Sequence, residues 1–335
     1  MIKKPLLALF AVSLLLSFDL AGIDAVARQG KESVKQDSPD LAEASQLSQQ
    51  VVKLYKEKKL DEAIPLAKRA LELREKALEQ DNPLVVSALN NLALLYLAKG
   101  AYATAESLYE RALASQEKMH GADSPKVANA LENLAWARYG RGKVSEATDM
   151  FERALSIREK ALGPFHQETG HALYNLARLH EKQGQPDKSL PFFQRALDVK
   201  EKALGPNHKE VGDLLDMYAC AMKQAGREKE ADEIQKRAYK ILRGDETGIV
   251  LQGSAIHREV PTYPMAARQA KIIGKMIVEV TVDEAGKVID ARAKCGPDIF
   301  ATESIEAARK WRFTPTTLSG RPVKVIGTIT FNFTP

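Results

Sequence analysis

Asparagine side chains recur at a fixed interval along the middle of the chain. Asn91, Asn133 and Asn175 are separated by steps of 42 residues. A carboxamide both donates and accepts hydrogen bonds, so a row of them can bind the backbone of an extended peptide whatever its sequence. Each has a polar residue four positions earlier, on the same face of a helix; these partners are Ser87, Asn129 and His171. We predict that these side chains line a peptide groove. The alternative is that the asparagines bond only to neighbouring helices.

The residue types that carry catalysis or bind metals are scattered. The chain has six histidines, and it contains no phosphate-binding loop and no G-x-S-x-G, H-E-x-x-H or C-x-x-C motif. His166 and His208 lie 42 residues apart in repeated Leu-Gly-Pro-x-His strings, which is typical of loops between repeats. The sequence therefore predicts a protein that is not an enzyme and has no metal, cofactor or small-molecule substrate.

The two cysteines, Cys220 and Cys295, are 75 residues apart. Two cysteines are too few for a disulfide scaffold. Cys220 falls on a predicted repeat helix and Cys295 at the end of a strand in another domain, so a bond between them would have to cross the domain boundary. The default prediction is two free thiols, with the redox state left open.

Composition and charge exclude several classes of protein. Hydrophobic residues make up 44% and charged residues 28%, which is typical of a globular chain. The net charge of +5, from 49 basic and 44 acidic side chains, is too small and too scattered to indicate nucleic-acid binding. No apolar run reaches the roughly 18 residues of a membrane-spanning helix.

The N-terminus has the parts of a secretory signal peptide. Lys3 and Lys4 precede an apolar stretch at 6–18, and Ala25-Val26-Ala27 forms a small-x-small site. We predict a signal peptide over 1–27, cleaved between Ala27 and Arg28, followed by a flexible segment over 28–42. The alternative is an uncleaved inner-membrane anchor, but the apolar stretch would rise only about 20 Å against a hydrocarbon core of about 30 Å.

A 42-residue period fills the middle of the chain. Arg-Ala pairs mark every unit, at 69–70, 111–112, 153–154, 195–196 and 237–238. Glycines recur at the same step, at Gly100, Gly142, Gly184 and Gly226, with Lys58 in the corresponding place of the first unit. Each unit predicts two amphipathic helices around that residue; in the third unit they span 127–139 and 144–161. One helix pair cannot bury its own apolar stripe, so the pairs must stack into a superhelix with a concave face.

These units resemble the tetratricopeptide repeat in the long form found in kinesin light chains. The resemblance is carried by "LNNLALLYLAKGAYATAESLYERALASQEKMHG" (89–121), "LENLAWARYGRGKVSEATDMFERALSIREKALG" (131–163) and "LYNLARLHEKQGQPDKSLPFFQRALDVKEKALG" (173–205). It covers residues 43–243, with units near 43–83, 84–125, 126–167, 168–209 and 210–243. The first and last units depart from the pattern, as capping repeats do. In the resembled family such asparagines line the groove and clamp peptides.

The last ninety or so residues follow a different pattern. After a linker over 244–257, side chains alternate along 276–282, and Asp283-Glu284-Ala285-Gly286 predicts a hairpin turn. A second strand at 288–294, a helix at 301–312 and a last strand at 323–333 follow. The predicted fold class is therefore α+β multidomain: an α-solenoid of about five helix pairs, then a small ββαβ domain whose antiparallel sheet has one face covered by the helix.

The C-terminal domain, 258–335, resembles the C-terminal domain of TonB. The motifs are Tyr263-Pro264-x-x-Ala267, Val282-Asp283-x-x-Gly286-x-Val288 and Ala307-Ala308-Arg309-Lys310-Trp311-Arg312-Phe313-x-Pro315. In that family, a short "box" peptide of an outer-membrane transporter adds as a strand beside the last strand. The resemblance implies that the edge here is formed by Val323, Val325, Gly327, Thr328, Ile329 and Phe331, with Tyr263 and Pro264 meeting the same peptide.

Together these features predict an exported, periplasmic protein-binding adaptor. Its repeats would bind one partner peptide, still unknown, and its C-terminal domain would contact TonB-dependent transporters by strand addition. The alternative is a periplasmic scaffold with no role in energised import, and homodimerisation through the same edge stays open. Two departures from the resembled transducers bear on this: the N-terminus lacks their histidine-bearing membrane helix, and repeats replace their Pro-rich spacer.

Overall fold

The computed structural model describes residues 38–243, 253–269 and 272–334. The predicted signal peptide, its cleavage site at Ala27 and Arg28, and most of the predicted linker lie outside the described residues. The chain divides into two compact units, residues 1–164 and residues 165–335.

The first unit is built from three helix pairs. Their helices are α1 (Pro39–Lys56), α2 (Leu60–Ala77), α3 (Pro83–Ala98), α4 (Tyr102–His120), α5 (Pro125–Gly140) and α6 (Val144–Leu162). The bounds of α5 and α6 lie within two residues of those predicted from the period. The first helix begins at Pro39, four residues before the predicted start of the repeats.

The turn inside each pair requires a positive φ. Gly100 and Gly142 have φ of 77° and 82°, a region that glycine enters without steric cost. Lys58 makes the same turn at φ 60°, and the amide after it bonds to the same repeat position, Leu54, as in the glycine turns. The lysine therefore replaces the glycine without changing the turn, at a conformational cost of about 1 kcal/mol.

Alanines at fixed repeat positions let the helix backbones approach closely. Ala63, Ala105 and Ala147 on the second helices are fully buried, as are Ala93 and Ala135 on the first helices. A larger side chain at any of these positions would need space that the packed interior does not have. The 42-residue recurrence of alanine thus follows from helix packing.

Charged side chains also join neighbouring pairs within the first unit. Glu106 on α4 is 3% exposed and accepts hydrogen bonds from Arg138 (3.2 Å), Arg141 and Lys143 (2.9 Å) around α5. Burial alone would raise the pKa of Glu106, but the hydrogen bonds from Arg141 and Lys143 outweigh it and lower the pKa below its ordinary value. The carboxylate therefore stays charged and holds α4 to α5.

The second unit contains two further helix pairs and the C-terminal domain. Its helices and strands are α7 (Gln167–Lys182), α8 (Pro186–Leu204), α9 (Lys209–Gln224), α10 (Glu228–Arg243), β1 (Ala255–His257), α11 (Met265–Gln269), β2 (Gly274–Val282), β3 (Val288–Cys295), α12 (Ala301–Lys310), β4 (Arg312–Phe313), β5 (Thr317–Leu318), β6 (Arg321–Pro322) and β7 (Val325–Phe333).

A three-stranded antiparallel sheet in the order β3-β2-β7 forms the C-terminal domain, and α12 packs on one face of it. The predicted ββαβ order is confirmed, with short additional pairs β1–β4 and β5–β6. The last strand begins at Val325 rather than Val323, because the amide of Val323 bonds instead to the carbonyl of Thr316 at 2.9 Å. The core under α12 includes Val278, Phe300 and Ile329.

The opposite face of the sheet is covered as well, which differs from the prediction. Ile277 and Glu279 of β2 are 1% and 6% exposed, although they point away from the core under α12. The side chains that meet this face come from the last helix pair: the hydroxyl of Tyr239 donates to Glu279 at 2.8 Å. The domain therefore packs back on the repeat that precedes it.

The same packing corrects the prediction of two free thiols. Cys220 on α9 and Cys295 at the end of β3 form a disulfide, with their Cα atoms 6.2 Å apart. That separation is within the usual range for a disulfide. The prediction was wrong because it treated the boundary between repeats and C-terminal domain as a gap, whereas the sheet lies directly against α9.

Candidate functional site

The direction of each amide in β7 follows from the hairpin that joins β2 to β3. The amide and carbonyl of Asp283 bond to Lys287 and Gly286, so both point towards β3. Alternate residues of a strand point their backbone groups to opposite sides. The even-numbered residues of β2 therefore point towards β7. Their partners in the register are the odd-numbered residues of β7, from Val325 to Phe333.

The even-numbered residues of β7 therefore point their amides and carbonyls away from β2. They are Ile326, Thr328, Thr330 and Asn332. Within the part of the chain that the structure describes, no other strand pairs with this side of β7, and no backbone hydrogen bond to these groups occurs. Such a row of unpaired groups can template one additional strand.

The odd-numbered side chains of β7 hold the strand against the core. Val325, Gly327, Ile329 and Phe331 are buried, so the strand is fixed from below while its outer edge stays open. Thr328 is half-buried, and its hydroxyl receives a hydrogen bond from Lys223 of α9 at 3.3 Å. Val323 lies just before the strand.

A segment before α11 lies on the core side next to the end of β7. The ring of Tyr263 is 5.9 Å from that of Phe333, and its hydroxyl donates to the carbonyl of Ile272. Pro264 follows it and is half-buried, while Val260 is 84% exposed. The structure thus places Tyr263 beside β7, with an exposed apolar side chain, Val260, close by in sequence.

Trp311 fixes this segment. Its indole Nε1 donates to the carbonyl of Glu259 at 2.8 Å, and its ring meets that of Phe331 edge-on at 5.7 Å. The side chain of Glu259 accepts a hydrogen bond from Lys310 at 2.8 Å, which lowers the pKa of this carboxyl. Trp311 therefore ties the segment to the core.

The predicted groove residues of the first unit differ in what surrounds them. Asn91 on α3 and Asn133 on α5 are half-buried, and among the described residues their carboxamides have no hydrogen-bond partner. Ser87 on α3 is also half-buried. Asn129 is exposed, but its carboxamide oxygen accepts a hydrogen bond from Arg158 of α6. One of the predicted ligand groups is thus already used within the unit.

In the second unit, His171 and Asn175 both lie on α7 and are half-buried. His171 contributes to a charged cluster at the start of α9. There the hydrogen bond from Lys200 lowers the pKa of Glu210, with smaller contributions from His208 and His171. Asn175 is the equivalent of Asn91 and Asn133. In the last repeat the same position holds Met217, whose sulfur accepts a hydrogen bond from the hydroxyl of Tyr174 at 3.2 Å.

The sequence did not indicate the polar residues that lie between α9, α10 and the sheet. Glu279 accepts hydrogen bonds from Arg292 (2.9 Å from Nε) and Lys294 (3.3 Å), and Lys294 also pairs with Asp216 at 2.6 Å. One signal was present in the sequence: residue 216 is an aspartate, whereas the equivalent position one repeat earlier is a tyrosine, Tyr174.

Two further observations concern the described residues as a whole. No helix among them is long and apolar enough to cross a membrane. No group of three or more histidine, cysteine, aspartate or glutamate side chains in the same part of the chain is arranged to hold a metal ion.

The model of the tetratricopeptide repeat matches residues 52–118, 87–160, 141–202 and 168–244, which together span more than half of the chain. The chain belongs to the tetratricopeptide repeat family. The model described as Gram-negative bacterial TonB protein C-terminal matches residues 259–335. This tetratricopeptide repeat protein thus ends in a TonB C-terminal domain, and both domain types indicate protein partners.

Solved structures agree with the repeat fold. A putative kinesin light chain of Podosopora anserina, with nearly identical TPR-like repeats, has 22% sequence identity and a TM-score of 0.53; the match covers 63% of this chain and 99% of that one. BtubC (BKLC) from P. vanneervenii has 22% identity and a TM-score of 0.51, covering 71% of this chain and 90% of that one. No curated protein matches the chain.

Proposed function

We propose that this tetratricopeptide repeat protein is a periplasmic adaptor that binds two protein partners. Its C-terminal domain takes up the box peptide of a TonB-dependent outer-membrane transporter as an extra strand on β7, and the first helices of its repeats bind a second, extended peptide. The adaptor carries out no catalysis. One observation carries the proposal: the outward amides and carbonyls of 326, 328, 330 and 332 in β7 have no partner within the described residues.

The surroundings of β7 support a peptide ligand of this kind. A strand added to an edge gains affinity from backbone hydrogen bonds and selectivity from alternate side chains. Here Tyr263 lies against Phe333 at the end of the strand, and Val260 is almost fully exposed near it. An added strand would therefore find apolar side chains on the core side of the edge.

Replacing Thr328 by proline should abolish binding of a transporter box peptide. Proline lacks the amide hydrogen that points outward at this position, and proline is tolerated on edge strands because the bonds to the inner neighbour stay intact. We expect at least a tenfold loss of affinity, measured by isothermal titration calorimetry with a synthetic box peptide, while the thermal unfolding midpoint changes by only a few degrees.

Thr328→Val is the matched control. Like proline, valine removes the hydroxyl that Lys223 contacts, but it keeps the backbone amide. The Thr328→Val variant should therefore bind the peptide with the same affinity as the natural protein. If the wild-type protein binds no box peptide, the transporter link fails and the scaffold function is favoured. If proline and valine reduce affinity equally, the peptide does not pair with the strand.

The repeats should lose peptide binding when Asn91 and Asn133 are both replaced by alanine. Both carboxamides lie half-buried in the first unit without a protein partner among the described residues, so their removal leaves a ligand backbone without these hydrogen bonds. We expect about a tenfold or greater loss of affinity for peptides selected from a phage-displayed random library, measured by fluorescence anisotropy.

The control for that pair is Ser107→Ala with Ser145→Ala, at exposed positions of the second helices α4 and α6. These changes should leave the affinity unchanged. Equal affinities for the asparagine variant and the natural protein would mean that the asparagines serve only the packing of neighbouring helices.

Export to the periplasm is the part of the proposal that the disulfide supports. Stable disulfides are typical of the bacterial periplasm and rare in the cytosol, and Cys220 and Cys295 are bonded. The predicted cleavage after Ala27 would release the protein into that compartment, and an uncleaved N-terminus would anchor it to the inner membrane. The intact mass of protein from an osmotic-shock fraction distinguishes the two, because only cleavage gives a chain that begins at Arg28.

A further inference from the structure

We propose that the C-terminal sheet is the cap of the repeats. It occupies the face of the α9–α10 pair on which one more helix pair would stack, and the Cys220–Cys295 disulfide locks it there. Helix repeats need such a cap, because the last pair otherwise exposes the apolar side that its predecessors bury against a neighbour.

In the second unit, the contacts of α7 and α8 with α9 show which side chains join one helix pair to the next. The hydroxyl of Tyr174 and the guanidinium of Arg178, both on α7, approach the sulfur of Met217 on α9 at 3.2 and 3.9 Å. On α8, the ring of Phe193 lies 6.1 Å from the ring of Tyr218 on α9. Repeat positions 174, 178 and 193 are therefore among those that contact the following pair, and Lys200 of α8 also pairs with Glu210 of α9.

The same positions one repeat later belong to the contact with the sheet. Adding 42 residues gives Asp216, Cys220 and Gln235. Asp216 pairs with Lys294 of β3 at 2.6 Å, and Cys220 is bonded to Cys295. Gln235 donates to Asp216 at 2.7 Å and so orients it. The sheet thus contacts two of the three positions directly, through Asp216 and Cys220, and Gln235 at the third supports Asp216.

The sheet presents a face that suits this contact. Ile277 is 1% exposed on the side of β2 away from α12, so the last pair removes a large apolar side chain from water. Around it, four acidic and four basic side chains pair with one another: Glu279 with Arg292 and Lys294, Asp216 with Lys294, Asp232 with Lys223, and Glu228 with Lys275.

The charges at this contact balance, and the three that are largely buried, Glu279, Lys223 and Lys294, each have a partner of opposite charge. Lys223 is 7% exposed, and its ammonium also reaches Gln235 at 2.9 Å and Thr328 of β7 at 3.3 Å. A surface that met other proteins only briefly would not need to neutralise each buried charge from within the same chain. The pairing indicates a permanent contact.

The disulfide adds a covalent lock to that contact. It joins residues 75 positions apart, and so it restricts every state in which the sheet has moved away from α9. Cys220 is 5% exposed, so the bond is shielded on the α9 side. The cap consequently holds β7 in a fixed position relative to the last helix pair, and the covered face of the sheet is closed to other partners.

The test compares the full-length oxidised protein with a variant whose cap is released. The variant combines Cys220→Ser and Cys295→Ser with Ile277→Asp, which places an unpaired charge opposite α9. If the sheet is the cap, hydrogen exchange followed by mass spectrometry should show at least tenfold faster exchange of amides in α9 and α10, with α12 and β7 unchanged. Equal exchange of α9 and α10 in the two proteins would overturn the proposal.

A second variant keeps the test valid if Ile277→Asp unfolds the domain. With Trp136 replaced by phenylalanine, Trp311 is the sole tryptophan, and its emission reports whether the C-terminal core is intact. If the emission shifts to that of an exposed tryptophan, the Ile277→Asp change is replaced by Tyr239→Phe, combined with both serine substitutions. Tyr239→Phe is the milder change, because it removes only the hydroxyl that contacts Glu279. That variant should again speed exchange in α9 and α10.

The lock itself has a direct readout. The exported protein should take up no iodoacetamide until a dithiol such as dithiothreitol reduces it; the dithiol is oxidised to its cyclic disulfide as Cys220 and Cys295 gain two electrons and two protons. After this reduction the protein should take up two equivalents of iodoacetamide. Two equivalents without reductant would mean that the cysteines are free and that no covalent lock exists. For the hydrogen-exchange test the matched control is Arg227→Gln, just before α10, which breaks only an exposed ion pair with Glu230 and should leave the exchange of α9 and α10 unchanged.

Discussion

Replacing Gly286 by alanine is expected to unfold the C-terminal domain. Gly286 closes the β2–β3 hairpin at φ 82°, where any other residue is strained. A Cβ placed there would lie 1.9 Å from the carbonyl oxygen of Phe313, which is backbone and has no flexible end that can move aside.

The cost of this substitution combines strain with a collision. The positive φ alone costs alanine about 1–2 kcal/mol. To relieve the collision, β4 would have to move away from the hairpin, which breaks the hydrogen bond from the amide of Phe313 to the carbonyl of Gly286 (2.8 Å) and withdraws the buried Phe313 ring from the core. We expect a total loss above about 4 kcal/mol, in the range that only such specific mechanisms reach.

Gly320→Ala is the matched control for this prediction. Gly320 has nearly the same φ, 79°, but a Cβ there would meet no atom within 4 Å. Its substitution should cost only the strain, about 1 kcal/mol. Trp311 emission during urea unfolding, in the Trp136→Phe background, measures both. Equal losses for the two variants would contradict the role given to the close approach.

The hairpin turn was predictable from the sequence, whereas the approach of β4 to it was not. Asp283-Glu284-Ala285-Gly286 indicated a hairpin with glycine at the position of positive φ, and the structure confirms it. The approach of Phe313 could not be predicted, because it depends on how β4 returns beside the hairpin after α12. Local turn chemistry is encoded in four adjacent residues, whereas that contact joins residues far apart in sequence.

The repeats were predictable for the same reason. Alanines and turn glycines at a 42-residue step determine helix bounds locally, so α5 and α6 appear within two residues of their predicted ends. The C-terminal strands were predictable from alternation, except that β7 begins two residues late. There the amide of Val323 takes a partner, Thr316, that no periodic pattern indicates.

The contact between the sheet and the last helix pair was the largest omission. Alternation along β2 placed Ile277 and Glu279 on an outer face, which the sequence could only treat as exposed. In fact Tyr239, Asp216 and Cys220 of the last repeat cover it. Each of these residues is ordinary within its own helix, and only the three-dimensional packing joins them to the strands.

The predicted groove is also modified by packing. Asn129 shares its helix face with Asn133, and spacing alone makes the two equivalent. The two differ in the structure. Arg158 donates a hydrogen bond to the carboxamide oxygen of Asn129, whereas the carboxamide of Asn133 has no partner among the described residues. Arg158 therefore bears on both the stability of the first unit and the surface that its first helices present.

Replacing Arg158 by methionine is expected to destabilise the first unit strongly. Arg158 on α6 and Glu132 on α5 have side chains 4% and 7% exposed, joined by two hydrogen bonds of 2.6 and 3.0 Å. Methionine fills much of the same volume but leaves the Glu132 carboxylate buried without its partner. Removing one member of a buried pair costs about 3–5 kcal/mol.

Arg153→Met, on the same helix, controls for the loss of an arginine as such. Arg153 pairs with Glu117 at 3.0 Å, but both side chains are more than a third exposed, so this change should cost no more than about 1 kcal/mol. Urea unfolding followed by the emission of Trp136, in a Trp311→Phe background, reports the first unit in both variants.

A third variant separates the buried charge from the lost packing. Glu132→Leu combined with Arg158→Met removes both charges and keeps apolar side chains of similar volume, which is often neutral for stability. We therefore expect the double variant to recover most of what Arg158→Met loses. It also frees the Asn129 oxygen while the fold persists, so peptide binding can be compared at equal stability. If the double variant is as unstable as Arg158→Met, the loss comes from packing around Arg158, and the stranded carboxylate is not its cause.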